Sequence, residues 1–332
     1  MKDYRLRENR LEYFTELYRL NLEQRLMPGM VYLYLPELAA RYNWDAEQRL
    51  WFAFLNGMTQ NPITSMRLME RLPQVPPAGA ALAGFEAWFN GEWDTLQFDT
   101  DRRYQKKDTP AAIKAYATLV AAYGSQQAML LGPAYPALWA LVRENYVSFG
   151  RLSAFSYLEY VHLNGHGADC DDLIFGDKSG SKSHRNGMLL MQGVDEFVWD
   201  KRMPNGFDGT YDFKKLTPWL NARADEFLLG FSKTHPHAPN AGYFTLESNL
   251  CTFKNHFFGR RYPGVYADMA YERIEWADER GQSKHTEVFK DIRSANLPHW
   301  LRSECGSEKL TIKQKAALFP QTGAPYRAEY FL

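Results

Sequence analysis

Apolar positions along this chain recur mostly at the three- and four-residue spacing of an amphipathic helix. Leu6, Leu11, Phe14, Leu17 and Tyr18 form one such stripe, with Arg and Glu between them. Leu50, Trp51, Phe52 and Phe54 mark a second helix, and Asp45 followed by Gln48 is the capping-box signature for its start. The same spacing predicts helices over 81–90, 110–123, 134–146, 151–162, 186–199, 218–232, 243–258, 262–279 and 285–295. The best strand candidate is Val31-Tyr32-Leu33-Tyr34-Leu35, closed by Pro36. Residues 73–80 read as a loop, and 164–186 as a polar, glycine-rich stretch without a period. Residues 319–332, with Pro320, Gly323 and Pro325, read as an extended tail. No internal repeat appears. The expectation is a mainly α fold with few short strands, forming one catalytic unit over 1–332. A sub-boundary, if there is one, falls near 164–186.

Composition changes this picture little. The 332 residues are 45% hydrophobic and 15% aromatic, enough for a large core with rings left over to line a cleft. Lys plus Arg and Asp plus Glu are both 39, so binding to nucleic acid by bulk charge is disfavoured, while a local basic groove is not. Cys170, Cys251 and Cys305 lie far apart with no CxxC pair, which argues against a zinc ribbon and a disulfide scaffold. The N-terminal residues are charged and lead into an amphipathic helix rather than an apolar signal core. A cytoplasmic protein with no membrane partner is expected.

Chemistry concentrates in a few places. Asn56, Thr59, Gln60 and Asn61 break an aromatic helix with uncharged donors and acceptors, the equipment for reading a nucleobase edge. The competing reading is a helix corner, with Asn61 as N-cap and Pro62 at the first helical position. Downstream, Asp169-Cys170-Asp171-Asp172 precedes Gly176-Asp177-Lys178-Ser179-Gly180-Ser181-Lys182-Ser183-His184-Arg185-Asn186. Glycines, serines and lysines opening onto a helix suit phosphate oxygens. The Walker A spacing is not met, so a P-loop hydrolase is disfavoured.

Tyr146 to Phe155 looks like a partial helix-hairpin-helix, with Ser148 at the first glycine place, Gly150 at the second, and Arg151 following. Asp169, Asp171 and Asp172 lie where helix-hairpin-helix glycosylases carry their catalytic aspartate. Leu152 occupies the place of the lyase lysine, so Schiff-base chemistry there is disfavoured. Glu247, Cys251, Lys254 and Phe258 share a helical face, and Arg260, Arg261 and Tyr262 follow in a turn. Tyr262, Tyr266 and Tyr271 offer rings for stacking. Arg102 and Arg103 add a further basic spot for DNA.

Four stretches carry a resemblance. They are Arg25-Leu26-Met27-Pro28-Gly29 with Tyr32-Leu33-Tyr34; Leu50 through Pro62; Asp177 through Gly187; and Glu247-Ser248 through Arg260-Arg261-Tyr262-Pro263-Gly264. Together they resemble the bacteriophage amino acid:DNA transferases, also called alpha-glutamyl/putrescinyl thymine pyrophosphorylases, which are thought to be related to helix-hairpin-helix DNA glycosylases. The resemblance implies a helix-hairpin-helix glycosylase-like helical fold. It also implies base hypermodification in phage-infected bacterial cytoplasm. A separate 5-hydroxymethyluracil DNA kinase pyrophosphorylates the base in double-stranded DNA. The transferase then displaces pyrophosphate with the amine of a free amino acid, glycine favoured, or of a polyamine.

That reaction assigns expected roles. Asn56, Thr59, Gln60 and Asn61 would hold the uracil edge. Lys178, Ser179, Ser181, Lys182, His184, Arg185, Arg260 and Arg261 would hold the leaving group. Asp169, Asp172 or Asp177 would serve as general base. Lys254 or Arg261 would clamp a donor carboxylate, with Glu247 and Tyr262 also lining the substrate site. Ser148, Gly150, Arg151, Arg102 and Arg103 would meet DNA. Mg2+ on the diphosphate is compatible with the aspartates. Two other readings stand beside this one: a glycosylase that cleaves a modified base, and a non-enzymatic DNA-binding protein.

Overall fold

In the computed structural model, residues 3–99, 105–175, 182–194, 213–302 and 310–322 are described. The described residues are mainly α-helical and contain no strand. In chain order the first helices are α1 (Arg10–Glu23), α2 (Val31–Arg41), α3 (Ala46–Thr59), α4 (Pro62–Arg71) and α5 (Ala83–Gly91). Next come α6 (Thr109–Tyr123), α7 (Gln126–Leu130), α8 (Tyr135–Asn145), α9 (Arg151–Leu163) and α10 (Lys182–Met191). The last are α11 (Phe213–Thr234), α12 (Tyr243–His256), α13 (Val265–Asp278), α14 (Ser283–Asn296) and α15 (Ile312–Thr322). None is long and apolar enough to cross a membrane.

The chain divides into two compact units. One comprises Met1–Met30, Cys170–Tyr271 and Leu297–Leu332; the other comprises Val31–Asp169 and Glu272–Asn296.

In the second unit α3 is the central helix, packed by α4, α7 and α9. Its residues from Leu50 to Thr59 are all buried. The capping box forms as its sequence predicts: Asp45 Oδ1 accepts from the Gln48 amide at 2.8 Å and Gln48 Oε1 from the Asp45 amide at 3.0 Å. Gly57 lets α3 approach α9, since a Cβ there would lie 3.1 Å from Tyr157 Cβ. Around this crossing Phe54 stacks on Tyr116 with centroids 3.8 Å apart. The phenols of Tyr116, Tyr146 and Tyr157 bond to one another, Tyr146 to Tyr157 at 3.1 Å and Tyr116 to Tyr157 at 3.3 Å. Burial raises the pKa of all three.

In the first unit α10 and α12 make the tightest pair. A Cβ on Gly187 would fall 2.1 Å from the Leu250 carbonyl oxygen, so only glycine permits the approach. The helix α1 packs on both α10 and α12, and α15 packs on α12. Asn21 Nδ2 donates to Asn249 Oδ1 at 2.7 Å, and the hydroxyls of Tyr18 and Thr245 bond at 2.8 Å, so α1 is pinned to α12 by polar contacts as well as rings. Phe319 of α15 stacks on Tyr4 at 5.4 Å.

Three expectations are corrected. Val31–Leu35 is helix, not strand: all five residues are buried, and an apolar run without polar faces has no period to separate the two. The polar stretch before residue 186 already contains α10, which starts at Lys182; His184, Arg185 and Asn186 look like loop because their polar side chains are turned inward. Residues 319–322 belong to α15 rather than to an extended tail. Leu6 and Leu11, placed on the α1 stripe, are each 49% exposed.

Candidate active site on helices α10 and α12

The first turn of α10 carries Ser183, His184 and Arg185, and the facing side of α12 carries Glu247, Cys251 and Lys254. Residues 247, 251 and 254 share that face because they are four and three apart. His184 Nδ1 lies 3.2 Å from Glu247 Oε1, and both side chains are almost completely buried. On the other side of the ring His184 Nε2 is 2.9 Å from the Leu173 carbonyl oxygen. A carbonyl only accepts, so Nε2 carries the proton and Nδ1 is the atom presented to Glu247. Nδ1 and Oε1 are at ion-pair distance without hydrogen-bonding alignment, so the carboxylate lies beside the Nδ1 edge of the ring rather than in line with it.

Lys254 Nζ is 3.4 Å from Ser183 Oγ and 5.1 Å above the Phe258 ring. Arg260 is exposed, and the Arg261 guanidinium lies 5.9 Å over Tyr266. The corner is thus a buried carboxylate–imidazole pair rimmed by half-buried Ser183, Cys251 and Lys254, with cations beyond it.

Other expected site residues sit differently. Arg185 is fully buried, and its Nη1 donates to the Phe175 carbonyl, so with His184 it fastens residues 173–175 to α10 rather than reaching outward. Tyr262 is 1% exposed and its hydroxyl donates to Asp268 Oδ2 at 2.5 Å, beside the Lys315–Asp268 ion pair at 2.7 Å; it offers no open face to a base. Asp172 Oδ1 accepts from the Ile174 amide at 2.7 Å, which turns the chain. Asp169, in the second unit, is exposed and 3.7 Å from His162. Asp177, Lys178, Ser179, Ser181, Arg102 and Arg103 lie outside the described residues, and Lys182 is the first residue of α10.

Also in the second unit, the cluster at residues 56–61 builds the α3–α4 corner. Asn61 Oδ1 caps α4 by accepting from the Ile63 and Thr64 amides, and Asn61 Nδ2 donates to Gln97. The Thr59 and Ser65 hydroxyls bond at 2.7 Å, and Ser65 Oγ donates to Asn56 Oδ1. Gln60, in the left-handed region at φ 49°, donates to Ser156 and Tyr160. Of the four, Gln60 has the most surface at 8% exposed, while Asn56, Thr59 and Asn61 are at 2% or less.

The turn between α8 and α9 has Ser148 at φ 62°, a glycine-like conformation at the place where a hairpin glycine is expected. Ser148 Oγ donates to Asp108 at 2.5 Å. Gly150 is the N-cap residue of α9. Arg151 is 7% exposed with its guanidinium over Phe155, so it points inward instead of toward a phosphate.

The profile of a family described as Amino acid:DNA transferase matches residues 26–262, well over half of the chain and both helices of the site. This chain belongs to the amino acid:DNA transferase family. A serinyltransferase of Salmonella phage ViI is 25% identical over 297 residues, covering 84% of this chain and 71% of the phage protein. No solved structure matches. Transfer of an amino acid onto DNA is the activity class that family membership assigns. In this transferase Lys182–Gly187, the described part of one stretch that carries the resemblance, meets the Glu247–His256 part of another where α10 crosses α12. Cys251, which the sequence places on one helical face with Glu247 and Lys254 but gives no role, joins His184 and Glu247 in this corner.

Proposed function

We propose that this transferase joins an amino acid to 5-pyrophosphorylmethyl-uracil in duplex DNA and releases pyrophosphate. The donor nitrogen forms a C–N bond to the exocyclic methylene carbon. The C–O bond to pyrophosphate breaks, and the leaving oxygen keeps the electron pair. The ammonium of the donor must first lose a proton. The Glu247 carboxylate, held beside His184 in this corner, accepts that proton and frees the amine lone pair. Lys254, with Arg260 and Arg261, supplies positive charge for the diphosphate and for the donor carboxylate. Lys178, Ser179, Ser181 and Lys182 complete the leaving-group site, and the α8–α9 turn at Ser148 and Gly150, with Arg102 and Arg103, meets the DNA backbone. Glycine is the first donor proposed, and serine, the amino acid in the relative's printed name, stands beside it.

The observation that carries this reading is the 3.2 Å His184–Glu247 pair beside Lys254, assembled from two distant stretches of a chain in this family. The test is single-turnover transfer measured by nucleoside mass spectrometry. Glu247→Gln lowers the rate by about 100-fold or more, the scale of a lost proton acceptor. Lys254→Gln lowers kcat/KM by about 10- to 100-fold, the scale of a lost charge-stabilising donor. Wild-type rates in both variants would remove the corner from the reaction. Abasic sites in place of a new nucleoside would identify a glycosylase instead.

A further inference from the structure

Three side chains of this corner have the composition of a metal site. His184, Glu247 and Cys251 bring one ligand atom each to within 4.8 Å of one another. The geometry is further advanced than that limit. Two ligands at 2.0–2.1 Å from a tetrahedral metal are about 3.3 Å apart, and His184 Nδ1 and Glu247 Oε1 stand at 3.2 Å. The sulfur of Cys251 completes a facial set from one turn further along α12, and its partial exposure leaves one side of the corner approachable.

The imidazole is also oriented as a ligand. A metal-binding histidine almost always donates its other N–H to a carbonyl or carboxylate, which fixes the tautomer. Here that partner is the Leu173 carbonyl, 2.9 Å from Nε2, and Nδ1 is turned to the carboxylate. Arg185 holds the neighbouring Phe175 carbonyl, so the segment carrying the orienting carbonyl is itself fixed.

We propose that His184, Glu247 and Cys251 bind one divalent metal ion of the zinc class, leaving an open coordination position. One nitrogen, one thiolate and one carboxylate suit a borderline-soft ion such as Zn2+ or Co2+, and do not suit Mg2+, which takes an octahedral shell of oxygens. Within the proposed reaction the open position takes the donor through one oxygen of its carboxylate, which leaves the amine lone pair free to attack. This last point rests on the transferase reading; the metal site itself does not.

The test is binding of Co2+ to the full chain after treatment with a chelator, read by absorption. The expected result is stoichiometric uptake with the visible bands of a four- or five-coordinate ion and a near-ultraviolet thiolate-to-cobalt band. Cys251→Ser loses the thiolate band, and His184→Gln weakens binding by about 100-fold or more, since outer-shell changes alone cost 10- to 100-fold. Cys170→Ser, altering a buried thiol that already donates to the Asp172 carbonyl, keeps the full spectrum. Circular dichroism confirms that each variant is folded. No cobalt uptake, or a thiolate band that survives in Cys251→Ser, overturns the site. Cobalt binding in a protein that transfers no amino acid would leave the site standing and remove the donor assignment. Transfer with no cobalt uptake would remove the site and the donor assignment with it, and leave the transferase reading standing.

Discussion

Replacing Gly187 by alanine puts one methyl group where the main chain of α12 already stands. The new Cβ would lie 2.1 Å from the Leu250 oxygen, 2.7 Å from its carbonyl carbon and 3.0 Å from its Cα. Ordinary contact begins near 3.4 Å, so α10 and α12 must separate by about 1 Å along that line. The obstacle is backbone inside a helix, which cannot swing aside as a side chain can. Overpacking of a close-packed core costs about 1–3 kcal/mol, and this case belongs at the top of that range. At about 2–4 °C per kcal/mol for a unit of this size, the melting temperature falls by roughly 6–12 °C. The same separation draws His184 away from Glu247, because residues 184 and 187 share one turn of α10, as do 247 and 250 of α12. Gly230 on α11 is the control, since nothing lies within 4 Å of a Cβ there. Gly230→Ala should be neutral or stabilise by about 0.5–1 kcal/mol through helix propensity. Calorimetric melts of the two variants beside the wild type give the comparison. A Gly187→Ala protein that melts with the wild type would refute the α10–α12 contact and the site built on it.

Two further outcomes follow from buried groups. His256 is fully buried, Tyr13 is bonded to its Nδ1 at 3.1 Å, and burial pushes its pKa down to about 3 from 6.5. The folded state therefore holds it neutral while the unfolded chain takes up a proton. The stability it confers is complete above pH 6.5 and is lost as pH falls from 6.5 toward 3, at about 1.4 kcal/mol per pH unit or about 2 kcal/mol by pH 5. Urea melts of His256→Gln should show a flatter pH dependence in that window; an unchanged slope would contradict the assignment. Asn61→Ala should cost about 1–2 kcal/mol by uncapping α4, and Asn61→Ser, which keeps a cap oxygen but not the donor to Gln97, should recover part of it. Equal stability of all three proteins would show that the cap carries nothing.

Much of the helical frame is legible in the sequence because its helices are amphipathic and punctuated. Asp45 and Asn61 announce α3 and α4 by cap chemistry, and α6, α8 and α9 begin or end within a residue or two of their predicted bounds. The pattern fails where burial is uniform. Val31–Leu35 is apolar on every face, and His184–Asn186 is polar although turned inward, so neither shows a period. The site is half legible for a related reason. Residue type marks His184, Glu247 and Lys254 as chemistry, but sequence does not say on which side of a helix a polar residue finds its partner. Arg185, Arg151 and Tyr262 look like ligands for phosphate or base and instead satisfy a carbonyl, an aromatic face and a carboxylate inside the fold. The pairing of residues 184 and 247 is tertiary, set by the glycine at 187 that lets two helices touch.

The proposed C–N bond on a DNA base is tested most directly by a nucleoside digest of duplex DNA carrying 5-pyrophosphorylmethyl-uracil after incubation with the protein and a mixture of amino acids and putrescine. One new nucleoside is expected, whose mass corresponds to a single amino acid joined to the 5-methylene group, glycine first, with an equivalent of pyrophosphate released. An unchanged digest, with zinc or magnesium supplied, or an abasic product, would contradict it.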